Sequence, residues 1–106
     1  MTFELVFTFP RPIKCDGNGK ATKDYSPRDW LLKVQEEIFE VAEIQNYGNF
    51  QGYPAQAREM LAEELADVIT VCISWLDALG YDNKKRAELF VKVNEKNEKR
   101  GYFKER

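Results

Sequence analysis

Trp30-Leu31-Leu32-Lys33-Val34-Gln35-Glu36-Glu37-Ile38-Phe39-Glu40-Val41-Ala42 is the stretch that decides the fold. Its apolar residues Trp30, Leu31, Val34, Ile38, Val41 and Ala42 recur in steps that keep them on one side of a helix. Ser26 suits the N-cap and Pro27 the first helical position, so a helix is predicted from there to about Tyr47, with Gly48 closing it. Projected at 3.6 residues per turn, Glu36 and Glu43 fall on the polar side. Glu37 falls between Ile44 and Trp30/Val41, inside the apolar sector, with Glu40 at its margin.

The same arrangement recurs on the next predicted helix, roughly Ala55–Leu79, which Gly80 ends. In Glu63-Glu64-x-x-Asp67, Glu63 is on the polar side, Glu64 lies between Val71 and Trp75, and Asp67 sits at the edge of the stripe near Met60. A carboxylate buried without a partner loses several kcal/mol of solvation or takes up a proton. The second glutamate of each pair therefore needs a partner. Three arrangements meet that need: a solvated face, a buried ion pair with Lys or Arg, or hard cations, which prefer oxygen ligands. Two such pairs on successive helices favour cations, Mg²⁺ foremost.

A third helix, about Asp82–Lys99, stops at Gly101. Ala87, Leu89, Phe90 and Val93 define its apolar face, which continues into Asn94, Asn97 and Arg100, with Lys96 on the flank. Such a stripe suits a pocket wall that binds phosphate oxygens, although cations near a helix C-terminus also complement its dipole. Ahead of the helices, Phe3, Leu5, Phe7 and Phe9 alternate along an expected strand or extended arm. Pro10, Pro12 and Asp16-Gly17-Asn18-Gly19 then break regular structure and allow a small hairpin. Tyr47–Pro54 reads as a Gly-rich loop carrying aromatics.

The chain of 106 residues fits one folding domain, with an arm over 1–27 and a helical domain over 28–106. A net charge of −2 gives no general attraction to nucleic acid or anionic membrane. No signal peptide is visible, and the apolar run Val68–Leu79 is about half a membrane span, so a cytoplasmic protein is expected. Cys15 and Cys72 make no disulfide framework, and Cys72 is expected in the core. Histidine is absent, which removes Ser-His and Cys-His nucleophiles and the Glu-x-x-His ligands of di-iron bundles.

Glu36-Glu37-Ile38-Phe39-Glu40 followed by Glu64-Leu65-Ala66-Asp67 resembles the EExxE…ExxD signature of MazG-like nucleoside triphosphate pyrophosphohydrolases, of the all-α NTP pyrophosphatase superfamily. Asn94–Phe103 resembles the Lys/Asn/Arg segment that closes the site in such proteins, and the likeness spans about residues 28–103. It implies Mg²⁺, with Mn²⁺ as substitute, on Glu37, Glu40, Glu64 and Asp67, with Glu36 as a base or outer residue. It further implies hydrolysis of a (deoxy)nucleoside triphosphate to monophosphate and pyrophosphate. Glu36 and Glu37 with Lys96 and Arg100 would be catalytic, and Asn94, Lys96, Asn97 and Arg100 would bind substrate. Phe50, Tyr47, Tyr53 and Trp30 are candidates to stack on the base, against a core role for each. Because Val68–Leu79 of the second helix is apolar around most of its circumference, an interface is expected there, and the resemblance implies a homodimer or homotetramer with four-helix packing of antiparallel helices. The competing functional readings are a non-catalytic nucleotide- or protein-binding helical oligomer, a dUTPase- or dCTPase-like enzyme, and a phosphoribosyl-ATP pyrophosphohydrolase.

Overall fold

The computed structural model describes residues 10–50 and 55–105, and of residues 47–50 the backbone alone. The expected strand at 3–9 and the side chains of Tyr47, Phe50 and Tyr53 lie outside the described residues. Every regular element among the described residues is helical: a 3-10 turn at Thr22–Asp24, then α1 (Pro27–Phe50), α2 (Ala55–Ala78) and α3 (Asn83–Lys99). The all-α expectation holds at this level. The chain forms two compact units, Met1–Trp75 and Leu76–Arg106.

In the first unit, α1 begins with a reciprocal cap. Asp29 N donates to Ser26 Oγ (3.1 Å), and Ser26 N donates back to Asp29 Oδ2 (2.9 Å). This satisfies two backbone donors that a helix start otherwise leaves open. The helix does not close at Gly48 as expected but runs on to Phe50. An interior glycine costs a helix only about 1 kcal/mol against alanine, so its presence alone does not stop one.

Trp30 stacks beside Trp75 with centroids 6.4 Å apart, while Glu37 and Glu40 meet Glu64. Partners on α2 fall in number as those on α1 rise, so the two helices are antiparallel. Trp30, Ala57 and Val71 are buried along the line where they face each other. Leu31 and Ile38 on α1, and Leu65 and Ile69 on α2, are about half exposed. At about 100° per residue, these stripes lie on the same side of an antiparallel pair, opposite Glu40 and Asp67. Cys72 belongs to that uncovered stripe and is exposed, not a core residue as expected. The apolar arc of α2 is wider than α1 alone can cover.

Residues 10–26 are pinned across the other side of the hairpin. Ile13 N donates to Ser74 Oγ (2.9 Å), whose own hydrogen goes to Thr70 O (2.6 Å), and Thr22 Oγ1 donates to Ile13 O (2.7 Å). Cys15 and Ala21 form an isolated antiparallel bridge around a turn at Asp16–Gly19. Asp16 organises that turn: Oδ1 accepts from Asn18 N and Lys20 N, both at 2.9 Å, and Oδ2 accepts from Tyr25 Oη at 2.6 Å. The Tyr25 ring then meets Trp30 edge-on at 4.8 Å.

In the second unit, the closing glycines behave as expected. Gly80 (φ 92°) and Gly101 (φ 76°) adopt the left-handed conformation. Gly80 N reaches Asp77 O and Tyr81 N reaches Leu76 O, and the same pair of bonds recurs from Gly101 and Tyr102 to Glu98 and Asn97. Both patterns are Schellman closures. Asp82 caps α3 by accepting from Lys85 N at 3.0 Å. The covered face of α3 differs from the expected one. Arg86 is buried, Leu89, Val93 and Asn97 are half-buried on the same line, and Ala87 and Phe90 are exposed. Arg86 tolerates burial because its guanidinium bonds Asp77 (3.2 Å), the Tyr81 carbonyl and Asn83.

Ser74→Ala removes the acceptor for the buried end of the pinned segment. It is expected to cost about 1–3 kcal/mol, read as a lower denaturation midpoint in urea. An unchanged midpoint would show that Ile13 finds another partner.

Candidate metal centre

Glu37, Glu40 and Glu64 each bring a carboxylate oxygen within 4.8 Å of the others. The helix period accounts for this directly. Glu37 and Glu40 are one turn apart on α1, and the antiparallel pairing sets Glu64 of α2 opposite them. All three are half-buried, as the sequence placement of Glu37 and Glu64 in apolar stripes requires. Glu37 Oε2 and Glu64 Oε2 are buried with no hydrogen-bond partner among the described residues. An acceptor in that state forfeits its hydration without replacement.

The charge state answers to the same environment. Burial raises the pKa of Glu64 most, a hydrogen bond with Glu40 adds to it, and the charges of Glu40, Asp67 and Glu37 push it further, to about 7. Glu37 is also raised, by burial and then by the charge of Glu40, against a lowering pull from Lys33. Asp67 is exposed and stands outside the group of three, yet near enough for its charge to raise both glutamates.

Lys33 is the nearby cation that sequence reading passed over. Its Nζ lies 3.7 Å from Glu36 Oε2 and 3.8 Å from Glu37 Oε1. The spacing of three and four along a helix was the signal that could have found it. These separations are ion pairs longer than a hydrogen bond. The lysine serves one oxygen of Glu37 and leaves Glu37 Oε2 and Glu64 Oε2 orphaned. Glu36, as placed from the sequence, is exposed on the outer side.

The donor set fits a hard divalent cation. It is all carboxylate, and oxygens that share one Mg²⁺ stand at most about 4.2 Å apart, within a small side-chain adjustment of the observed grouping. A cation there would give both orphaned oxygens a partner and favour the ionised forms. Asn94, Lys96, Asn97 and Arg100 lie on α3 or at its C-cap, in the second unit. Asn97 is half-buried, Asn94, Lys96 and Arg100 are exposed, and the Arg100 guanidinium sits 5.9 Å over the Tyr102 ring. Trp30, a candidate base platform, is instead buried between Tyr25 and Trp75. No described helix is long and apolar enough to cross a membrane.

No protein family, curated protein or solved structure matches the chain.

The raised pKa values carry a definite sign for stability. A carboxyl held at about 7 when folded, against 4.5 ordinarily, binds more protons folded than unfolded in between. Metal-free protein is therefore expected to lose stability as pH climbs from about 5 to about 7.5. Below about pH 4 the opposite sign applies at Asp16 and Asp29, whose hydrogen bonds, foremost from Tyr25 and from Ser26 N respectively, hold their pKa values low. Thermal melts in chelator across this range check the slope, and added Mg²⁺ or Mn²⁺ should flatten it. Melting temperatures that rise steadily to pH 7.5 in chelator would contradict the site's electrostatics.

Proposed function

We propose that the chain is a Mg²⁺-dependent nucleoside triphosphate pyrophosphohydrolase. The observation that carries this reading is the pair of buried, unpartnered oxygens, Glu37 Oε2 and Glu64 Oε2, within a cluster of three carboxylates. The resemblance of Glu36–Glu40 and Glu64–Asp67 to the EExxE…ExxD signature supports the reaction class. Glu37, Glu40 and Glu64 would hold the cation, with Asp67 reaching in from the exposed edge. When bound, Mg²⁺ supplies charge neutralisation for the polyphosphate and a lowered pKa for an attacking water.

Glu36 is suited to take the proton from that water, being exposed and held beside the cluster by Lys33. As the water oxygen bonds to phosphorus, the phosphoanhydride bond breaks and pyrophosphate leaves with that electron pair. The roles of Asn94, Lys96, Asn97 and Arg100 in gripping the polyphosphate rest on the resemblance of the C-terminal segment. Their own geometry adds that Lys96 and Arg100 are exposed cations. No covalent nucleophile is needed, in keeping with a chain that lacks histidine.

The reading includes a homodimer or homotetramer. Support comes from the half-exposed stripe of Leu31, Ile38, Leu65 and Ile69, which a second helical hairpin would cover in four-helix packing. Equilibrium sedimentation should give two or four times the 12.4 kDa chain mass, and a monomer at micromolar concentration would remove this part.

The reaction is tested by incubating purified protein with Mg²⁺ and a panel of NTPs and dNTPs, phosphoribosyl-ATP included, and assaying pyrophosphate. Release from at least one nucleotide is expected, and chelator should abolish it. Glu64→Gln should lower kcat by roughly a hundredfold or more while leaving a folded protein. Failure of every nucleotide at ample enzyme would sink the proposal, and binding without turnover would favour a non-catalytic nucleotide binder.

A further inference from the structure

A second concavity adjoins the carboxylate cluster, shares Glu36 and Lys33 with it, and is otherwise built from residues that the metal chemistry does not use. It has a volume of about 350 Å³ and lies between the Asp16–Lys20 turn and the first turns of α1. Asn18, Tyr25, Asp29, Leu32 and Lys33 are among its walls, and Glu36 closes one end. Lys33 joins the two places, because the same ammonium that lines this pocket pairs with Glu36 and with Glu37 of the cluster. The helix projection agrees: Asp29, Lys33 and Glu36 lie on the side of the hairpin that carries Glu40 and Asp67.

The charges of the pocket say which part of a ligand it suits. Three carboxylates, Asp16, Asp29 and Glu36, face two ammonium groups, Lys20 and Lys33. Both lysines are already paired, Lys20 with Asp29 at 3.0 Å and Lys33 with Glu36 and Glu37. A polyphosphate would meet net negative charge here and has no reason to enter. An uncharged polar ring system does. Leu32 offers apolar surface that is 50% exposed, Tyr25 a ring, and Asn18 an exposed amide that both donates and accepts. Asp29 takes Ser26 N and Lys20 Nζ on Oδ2, and a ligand hydroxyl would approach the same carboxylate from the pocket side. The volume falls at the lower end of small-molecule sites.

We infer that this pocket receives the nucleoside end of the substrate, base against Leu32 and Asn18 and sugar hydroxyl toward Asp29, with the phosphates passing Lys33 to the carboxylate cluster. The inference rests on the nucleotide reading of that cluster and adds to it the place of base and sugar selection. Lys33 is then the residue that adds the first phosphate to its carboxylate partners. The turn held by Asp16 becomes the element that sets which base fits.

Gly17 provides the test. A Cβ added there meets no heavy atom within 4 Å, and its backbone is outside the left-handed region that only Gly19, Gly80 and Gly101 occupy among the described glycines. Gly17→Leu can thus fill the pocket mouth without straining the turn. For the best nucleotide it is expected to raise KM about tenfold while kcat moves far less, a loss worth about 1.4 kcal/mol of binding. Inhibition by inorganic triphosphate, which has no nucleoside, should not change. A second measurement is independent of turnover: NMR titration of wild-type protein with nucleoside 5′-monophosphates should shift Asn18, Tyr25 and Leu32 for at least one base, and pyrophosphate should not. Those shifts in a protein that hydrolyses nothing would support the pocket and sink the enzyme reading. Turnover with a wild-type KM in Gly17→Leu and unmoved pocket signals would overturn the pocket and leave the enzyme reading standing.

Discussion

Two carboxylate oxygens buried between antiparallel helices, with nothing among the described residues to hydrogen-bond them, are the constraint around which this chain is organised. An ordinary helical hairpin would place Leu or Ile at positions 37 and 64 and gain burial energy from both. Glutamate there works against folding unless it is protonated or matched by positive charge. The pKa of about 7 for Glu64 shows how narrowly the first solution serves near neutrality. Lys33 offers a partial second one, reaching a single oxygen at ion-pair distance.

Much of the surrounding structure can be understood as holding this strained place in register. Trp30 against Trp75 fixes the hairpin at one end, seven residues along α1 from Glu37. Ser74 turns a helix hydroxyl into an anchor for residues that would otherwise be loop, and through Thr22 and Asp16 it seats Tyr25 on Trp30. Burial and its bond to Asp16 push the Tyr25 phenol up to about 12, so it stays a donor over the whole working pH range. The segment that seats the tryptophan also walls the pocket beside the carboxylates.

The helices and the cluster were legible in the sequence because both depend on local periodicity. Ser26, Asp82, Gly80 and Gly101 mark helix ends through bonds made within a few residues, and those ends fell where expected. Glu37, Glu40 and Glu64 could be placed by projecting two helices and pairing their apolar stripes. What escaped has a different cause. Gly48 looked like a stop because glycine both ends helices and sits within them, and the difference is set by the residues that follow. Cys72 was assigned to the core because its helix is apolar, whereas its coverage depends on how much of that apolar arc α1 spans, and Phe90 was placed on the apolar face of α3 yet is exposed. Arg86 was missed because its burial depends on three partners, two of them outside α3. The pocket wall at Asp16–Lys20 depends on Ser74, more than fifty residues away, through contacts no periodicity records.

The central claim is that Glu37, Glu40 and Glu64 are held together for a divalent cation. Calorimetric titration of the metal-free protein with Mn²⁺ and Mg²⁺ at pH 6.5, in buffers of different ionisation enthalpy, tests it most directly. Saturable binding that releases protons is predicted, since Glu64 must give up the proton that burial holds on it, and Glu64→Gln should weaken it at least tenfold. Heats that never saturate, or binding with no proton release and no dependence on Glu64, would contradict it.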